Sequence, residues 1–234
     1  MPVPFTKDPL PAINFGERHV AVAVALDNSG SMVGDPIDEL NQGTEEFGRA
    51  LESDPLALGR ADICVVSFNS TVQVEMGFRP AMEYQPPKLE AGGFTCMNGG
   101  IDLSLDKLEE RKNEYREAGI SYYRPWLFLM TDGAPTDTDK ANKVRTRLQK
   151  AISDKKVMFI PIAIGKNADI ETLKSYYPEG TPDEDRIVGR ANAENFKEAF
   201  RWLSSSISAL VNSDTVDVDK ILLPPTPSMI AAGI

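Results

Sequence analysis

The chain has 234 residues, a formal net charge of −10 and a pI near 4.7. That balance excludes a nucleic-acid footprint, which needs a basic face, and it disfavours binding to an anionic membrane. Hydrophobic residues make up 41% of the chain, enough for a core, yet no run of about 18 apolar residues is present to span a bilayer.

Residues 1–17 are proline-rich and polar, with Phe5, Leu10, Ile13 and Phe15 interspersed. They read as an extended arm that packs along the domain surface or docks a partner. His19, the only histidine, opens the first strand. Val20 to Leu26 is a continuous apolar run rich in β-branched residues, the pattern of a strand buried on both faces of a parallel sheet. It stops at Asp27, followed by Ser29, Gly30 and Ser31. Oxygen-bearing side chains at i, i+2 and i+4 converge only if the chain turns tightly, and Gly30 permits such a turn. A hard cation such as Mg²⁺ prefers oxygen ligands and keeps some of its water. One carboxylate and two hydroxyls form an incomplete shell, which needs further donors from the chain and from a partner. His19 stands about eight residues before Asp27, roughly 26 Å away at strand rise. It therefore cannot activate Ser29 or Ser31, and a Ser–His–Asp hydrolase is excluded on geometry.

Beyond the loop, Asp35 at N-cap and Pro36 at the first helical position start a helix. Its inner stripe is Ile37, Leu40, Phe47 and Leu51, and Asp38, Glu39, Glu45 and Glu46 form a solvated face. Arg60–Phe68 and Val72–Met76 are two strands around a short turn, so they form a hairpin and one runs antiparallel at an edge. Residues 79–90 form a proline-bearing loop that returns to Gly92-Gly93-Phe94-Thr95, where Thr95 offers another hydroxyl. Cys64 is expected as a buried thiol and Cys96 as a filler beside Thr95. Two cysteines make no disulfide framework, and the N-terminus has no apolar signal core, so a reducing cytoplasm is the expected compartment.

Asn98–Ala118 follows as a helix buried through Ile101, Leu103, Leu105, Leu108 and Tyr115, with the charge run LEERKNEYRE as its exposed end. Trp126–Met130 is a second buried strand, ending in Thr131-Asp132-Gly133. In an open parallel sheet ligands bind beyond the carboxyl ends of the strands, where strand order reverses; Asp27 and Asp132 could meet there. Asp137 and Asp139 are read either as outer-shell groups or part of a recognition rim at this edge, or as capping, first-turn acids for the next helix. That helix spans Ala141–Ile152, with Val144, Leu148 and Ile152 inside. Val157–Ile164 is a further strand, in which Pro161 requires a bulge or an unpaired side. A short helix at Ile170–Tyr177, a short strand at Arg186–Val188 and a long amphipathic helix at Ala193–Val211 complete the pattern. The tail, 213–234, is acidic and then apolar, and is expected to be loose or to act as a plug through Ile221-Leu222-Leu223.

Asp27-x-Ser29-x-Ser31, the distant Thr95 and the distant Asp132 resemble, in order and spacing, the metal-ion-dependent adhesion site of the von Willebrand factor A (VWA) family. The resemblance covers roughly residues 18–212. Phe94 stands where the family often has a second glycine before the threonine. The resemblance implies a three-layer α/β/α Rossmann-like fold, with a mostly parallel sheet and one antiparallel edge strand. It also implies Mg²⁺, with Mn²⁺ or Ca²⁺ as substitutes, on Ser29, Ser31 and Thr95, with Asp27 and Asp132 acting directly or through water. A partner protein's Asp or Glu would then fill the vacant position. ALDNSGSM, DLSLDKLEERK and FLMTDGAPTD are further similar to the bacterial tellurium-resistance (TerY) type of single-domain VWA protein. That similarity implies a cytoplasmic scaffold or signalling role in stress response or defence, alongside a kinase or phosphatase of the same operon. Three alternatives compete with this reading: an extracellular adhesin, a subunit of an AAA-ATPase or chelatase assembly, and a metal-dependent phosphatase. A haloacid-dehalogenase-type phosphatase wants a second Asp at i+2, where this chain has Ser29, and no base lies nearby; a non-enzyme is therefore expected.

Overall fold

A computed structural model describes residues 17–213, apart from 133, 166–167, 187 and 192–195. The expected tail and all of the arm except Glu17 lie outside the described residues, apart from Ser213. Strand β1 (Val20–Asp27) is buried along its whole length, as its unbroken apolar run requires. It pairs in parallel with β2 (Ala61–Phe68) on one side and β4 (Trp126–Thr131) on the other. The hairpin partner β3 (Val72–Pro80) is antiparallel and forms one edge. β5 (Met158–Ile164) and β6 (Gly189–Ala191) continue the parallel part, giving the order β3-β2-β1-β4-β5-β6. Strand order reverses between β1 and β4, so the crevice at their carboxyl ends is where such a sheet holds ligands.

The alternation along β1 divides the core into two layers. Val20, Val22, Val24 and Leu26 face a cluster closed by α1 (Asp35–Glu52) and, after a short helix α5 (Ile170–Lys174), by α6 (Phe196–Val211). Ala21, Ala23 and Ala25 face the cluster under α3 (Met97–Ala118) and α4 (Ala141–Ser153). Alanines on that face let α3 lie close to the sheet. A Cβ on Gly100 would stand 2.6 Å from the Phe68 ring, so α3 has no room for a side chain there. This is the three-layer α/β/α architecture expected from the sequence, with one antiparallel edge.

Several local expectations shift. Asp35 lies inside α1, not at its cap; Gly34, at φ 92°, takes the N-cap. The same Asp-Pro pattern is correct at Asp54-Pro55, where Asp54 caps a short helix, α2 (Pro55–Arg60), that the sequence reading assigned to no element. β3 runs four residues longer than expected, through a register irregularity against β2. The last strand forms at 189–191, not at 186–188. Pro161 sits in β5 without a bulge because its nitrogen points away from β4, and β6 pairs only from Ile162 onward.

The charge run of α3 brings the largest correction. Arg111 is fully buried and Lys112 nearly so. Arg111 lies over the Phe78 and Tyr115 rings, 5.1 Å and 5.8 Å from their centroids, and bonds Glu114 at 3.1 Å. Beneath it is Asp62, at the start of β2, fully buried and bonded by the Tyr115 hydroxyl. His19 Nδ1 is 3.9 Å from the same carboxylate. Burial pushes Asp62 up to about 6, against the opposing pull of Arg111, and pushes His19 down. His19 is therefore at the amino end of the sheet, remote from Asp27, as strand geometry requires.

Candidate metal centre

Asp27 is the last residue of β1 and is fully buried. Its Oδ1 accepts the Ser29 backbone N–H at 2.9 Å, which turns the chain as soon as the strand ends. Its Oδ2 accepts the Thr131 hydroxyl at 2.5 Å. The Ser29 and Ser31 hydroxyls are 3.1 Å apart, and Ser31 donates to Asp132 Oδ1 at 2.8 Å. Asp27, Ser29, Ser31 and Asp132 thus meet at the β1–β4 crevice.

The segment that leads into Thr95 is bonded to the first loop. Thr95 itself is buried at the end of this segment, 90–95. Gly92 N–H donates to Asn28 O and Gly30 N–H to Gly93 O, both at 3.0 Å, and Asn28 Nδ2 donates to Glu90 O at 2.9 Å. Gly30 turns without a positive φ, and a Cβ there would stand 3.1 Å from Gly93 O. Gly93 does need glycine. Its φ is 79°, and a Cβ would meet Ser70 Oγ at 2.3 Å. Thr95 N–H bonds Thr136 Oγ1 at 3.1 Å, and Thr136 N–H returns to Thr95 O at 2.9 Å.

Asp137 does not cap the helix that follows it. Its carboxylate caps α3, accepting Asn98 N–H at 3.2 Å and Gly99 N–H at 2.8 Å. Asn98 in turn accepts the Tyr176 hydroxyl at 2.6 Å. The loop after β4 therefore holds the start of α3, and with it Thr95. Cys96 opens that helix without a side-chain cap bond, and burial followed by the nearby Asp137 raises its thiol pKa. It is a filler, not an activated nucleophile. Sequence reasoning missed Thr131, Thr136 and the capping role of Asp137, although all three flank Asp132 in the chain.

The electrostatics are unbalanced. Burial pushes Asp27 up to about 6, hydroxyl and amide bonds oppose this, and Asp132 adds to it. Burial also raises Asp132, with the Ser31 hydroxyl pulling the other way. Among the described residues, no cluster of three or more His, Cys, Asp or Glu side chains is present. The oxygen groups that meet are instead the Asp27 and Asp132 carboxylates and the Ser29 and Ser31 hydroxyls. A buried carboxylate held by neutral donors, beside converging hydroxyls, suits a hard divalent cation better than a soft one.

These features define a class: an open α/β domain that gathers oxygen ligands where its strand order reverses. Residues 21–202 match the von Willebrand factor type A domain model, and the chain belongs to that family. A search of curated protein sequences gives no match. Among solved structures it is similar to the von Willebrand factor type A protein from Catenulispora acidiphila (TM-score 0.60, 16% identity, covering 82% of this chain and 43% of that one). It also resembles the vWF domain of the type V pili tip protein Mfa5 from Porphyromonas gingivalis (0.58, 12%, 86% and 99%). A third is proximal thread matrix protein 1 from the mussel byssus, with a zinc-occupied MIDAS motif (0.51, 12%, 80% and 46%). This chain spans less than half the length of the Catenulispora and mussel chains. At such identities the likeness shows the fold alone. Among the described residues, no helix is long and apolar enough to cross a membrane.

Proposed function

We propose that this domain is a metal-ion-dependent protein-binding module. A divalent cation, Mg²⁺ first with Mn²⁺ or Ca²⁺ as substitutes, is held by Asp27, Ser29, Ser31, Thr95 and Asp132. A partner protein's Asp or Glu completes its shell. The observation that carries this reading is the Ser29–Ser31–Asp132 chain of contacts beside a buried Asp27 that lacks a cationic neighbour among the groups acting on it. When bound, the ion supplies an electrophilic seat for a carboxylate. Thr131 and the Ser29 amide orient Asp27, and the Gly30–Gly93 bond holds the two donor loops together.

The role is non-enzymatic in this reading: the chain's one histidine is at the other end of the sheet, and Cys96 is not activated. The setting we favour is a bacterial cytoplasmic stress-response system of the tellurium-resistance type, with a kinase or phosphatase of the same operon as partner. The pilus tip protein among the structural neighbours favours a second reading, an extracellular adhesin, which uses the same site chemistry.

Calorimetric titration with Mg²⁺, followed by capture from host lysate in Mg²⁺, in EDTA and with Asp27→Ala, tests the proposal. The expected result is metal uptake by the wild type alone, and a partner retained only by wild type in Mg²⁺. A partner captured equally under all three conditions would move the interface away from the ion. Metal-dependent phosphoester turnover that Asp27→Asn abolishes would replace the binding role with an enzymatic one.

A further inference from the structure

The rim of the metal centre carries two large apolar side chains turned to solvent. Phe94 is 70% exposed and Val33 63% exposed. Isolated apolar residues on a surface need no explanation, but these two are not placed at random. Phe94 immediately precedes the donor Thr95, and Val33 follows the donor Ser31 by two residues. The loops that carry them are joined at Gly30 N–H to Gly93 O, and Val33 N–H bonds Gly30 O at 3.3 Å. The Phe94 backbone is fixed as well. Its N–H donates to Ser70 Oγ at 2.9 Å, and the left-handed Gly93 directly before it sets its direction. An ordered backbone thus presents an uncovered aromatic ring beside the proposed ion.

We propose that Phe94 and Val33 form an apolar lip that selects partner segments in which a large apolar side chain adjoins the metal-binding Asp or Glu. This rests on the carboxylate-binding reading above and adds a partner specificity to it. Charge narrows the choice of occupant. The protein carries a net charge of −10, so a run of acids is repelled everywhere except at the ion. A single acid with an apolar neighbour meets both the cation and the lip without that repulsion. Central aromatic contacts that exclude water are also where interfaces concentrate their affinity.

The probe is an immobilised peptide set, Gly-Gly-X-Glu-Z-Gly-Gly. X and Z are drawn from Leu, Phe, Ile, Ser, Asn and Lys, each peptide has a Gln-for-Glu control, and the wild-type protein is read in Mg²⁺ and in EDTA. Peptides with Leu, Ile or Phe at X or Z should bind at least about tenfold better than those with Ser or Asn. Phe94→Ser and Val33→Ser should erase that preference, with Mg²⁺ uptake by calorimetry and the circular dichroism spectrum unchanged. Glu peptides bound in Mg²⁺ with no preference at X or Z would overturn the lip and leave the metal-bridged reading standing. A preference that survives in both variants would also overturn it. Mg²⁺ uptake with no binding of any Glu peptide would overturn both.

Discussion

Asp27 and Asp62 lie on neighbouring strands at opposite ends of one sheet, and burial pushes both up to about 6. Their neighbourhoods differ in one respect. At the amino end the chain brings its own cation: Arg111 stacks on Phe78 and Tyr115 and pulls Asp62 back toward ionisation. At the carboxyl end the groups acting on Asp27 are hydroxyls, an amide and a second carboxylate. A buried acid whose counter-charge is built in is closed to exchange. One surrounded by neutral donors is open to a cation from solution. On the reading proposed above, the contrast separates a structural acid from a metal-binding one within a single fold, and it can be attacked from either side.

The largest expected effect is at the closed end. Arg111→Met removes the cation that opposes the burial of Asp62; urea unfolding should show a loss of about 3–5 kcal/mol. Asp62→Asn in the same background should recover part of it. At the open end the sign reverses. Asp27→Asn should stabilise the metal-free protein at pH 7 by about 1–3 kcal/mol, because the ionised carboxylate is held there at a cost. The same variant should lose the rise in Tm that Mg²⁺ gives the wild type. A metal-free Asp27→Asn protein less stable than the wild type would break the comparison.

A pH scan separates the two ends further. Both folded-state pKa values are raised from 3.8 to about 6. The stability they contribute is therefore fully present below about pH 4 and lost as pH rises through about 6. Excess Mg²⁺ should remove only the Asp27 share of that loss, since Asp62 is out of its reach. Unfolding midpoints with and without Mg²⁺, in wild type, Asp27→Asn and Asp62→Asn, provide the check. The smallest effect concerns the support of Thr95. Asp137→Ala removes the cap of α3, which costs about 1 kcal/mol, and should weaken Mg²⁺ uptake about tenfold through the displaced threonine.

The open end was the legible one. A wholly apolar run stopping at Asp-x-Ser-x-Ser announces both the strand and the turn that gathers its polar side chains, because oxygen groups two residues apart are visible in a local window. The closed end was hidden for the opposite reason. Arg111 and Lys112 sit among Glu109, Glu110 and Glu114, and that spacing reads as a solvated helix face. Only the pairing of α3 with Asp62, 53 positions from Tyr115, reveals them as buried. One signal was present: a lone aspartate in the apolar strand ADICVVSF needs a partner of opposite charge from somewhere. The cap that Asp137 gives α3 was hidden because the amides that donate to its carboxylate, those of Asn98 and Gly99, lie nearly forty positions earlier, and first-turn acids usually serve the helix that follows them. The Asp-Pro pattern shows the limit of a local rule: at Asp35 the cap falls one residue earlier, on Gly34, while the same pattern at Asp54 does cap a helix, in a stretch to which no element was assigned.

The Ser31–Asp132 contact spans 101 positions of sequence. An ion held there is therefore also a cross-link. It would be available only after β1, α3 and β4 have assembled, so a peptide carrying Asp27 to Ser31 alone should have almost no affinity for it. Conversely, saturation would shift the whole unfolding equilibrium, by about 2.7 kcal/mol when free ion is a hundred times its dissociation constant. Metal concentration would then set not only whether a partner is held but how long the domain survives heat and proteases between encounters.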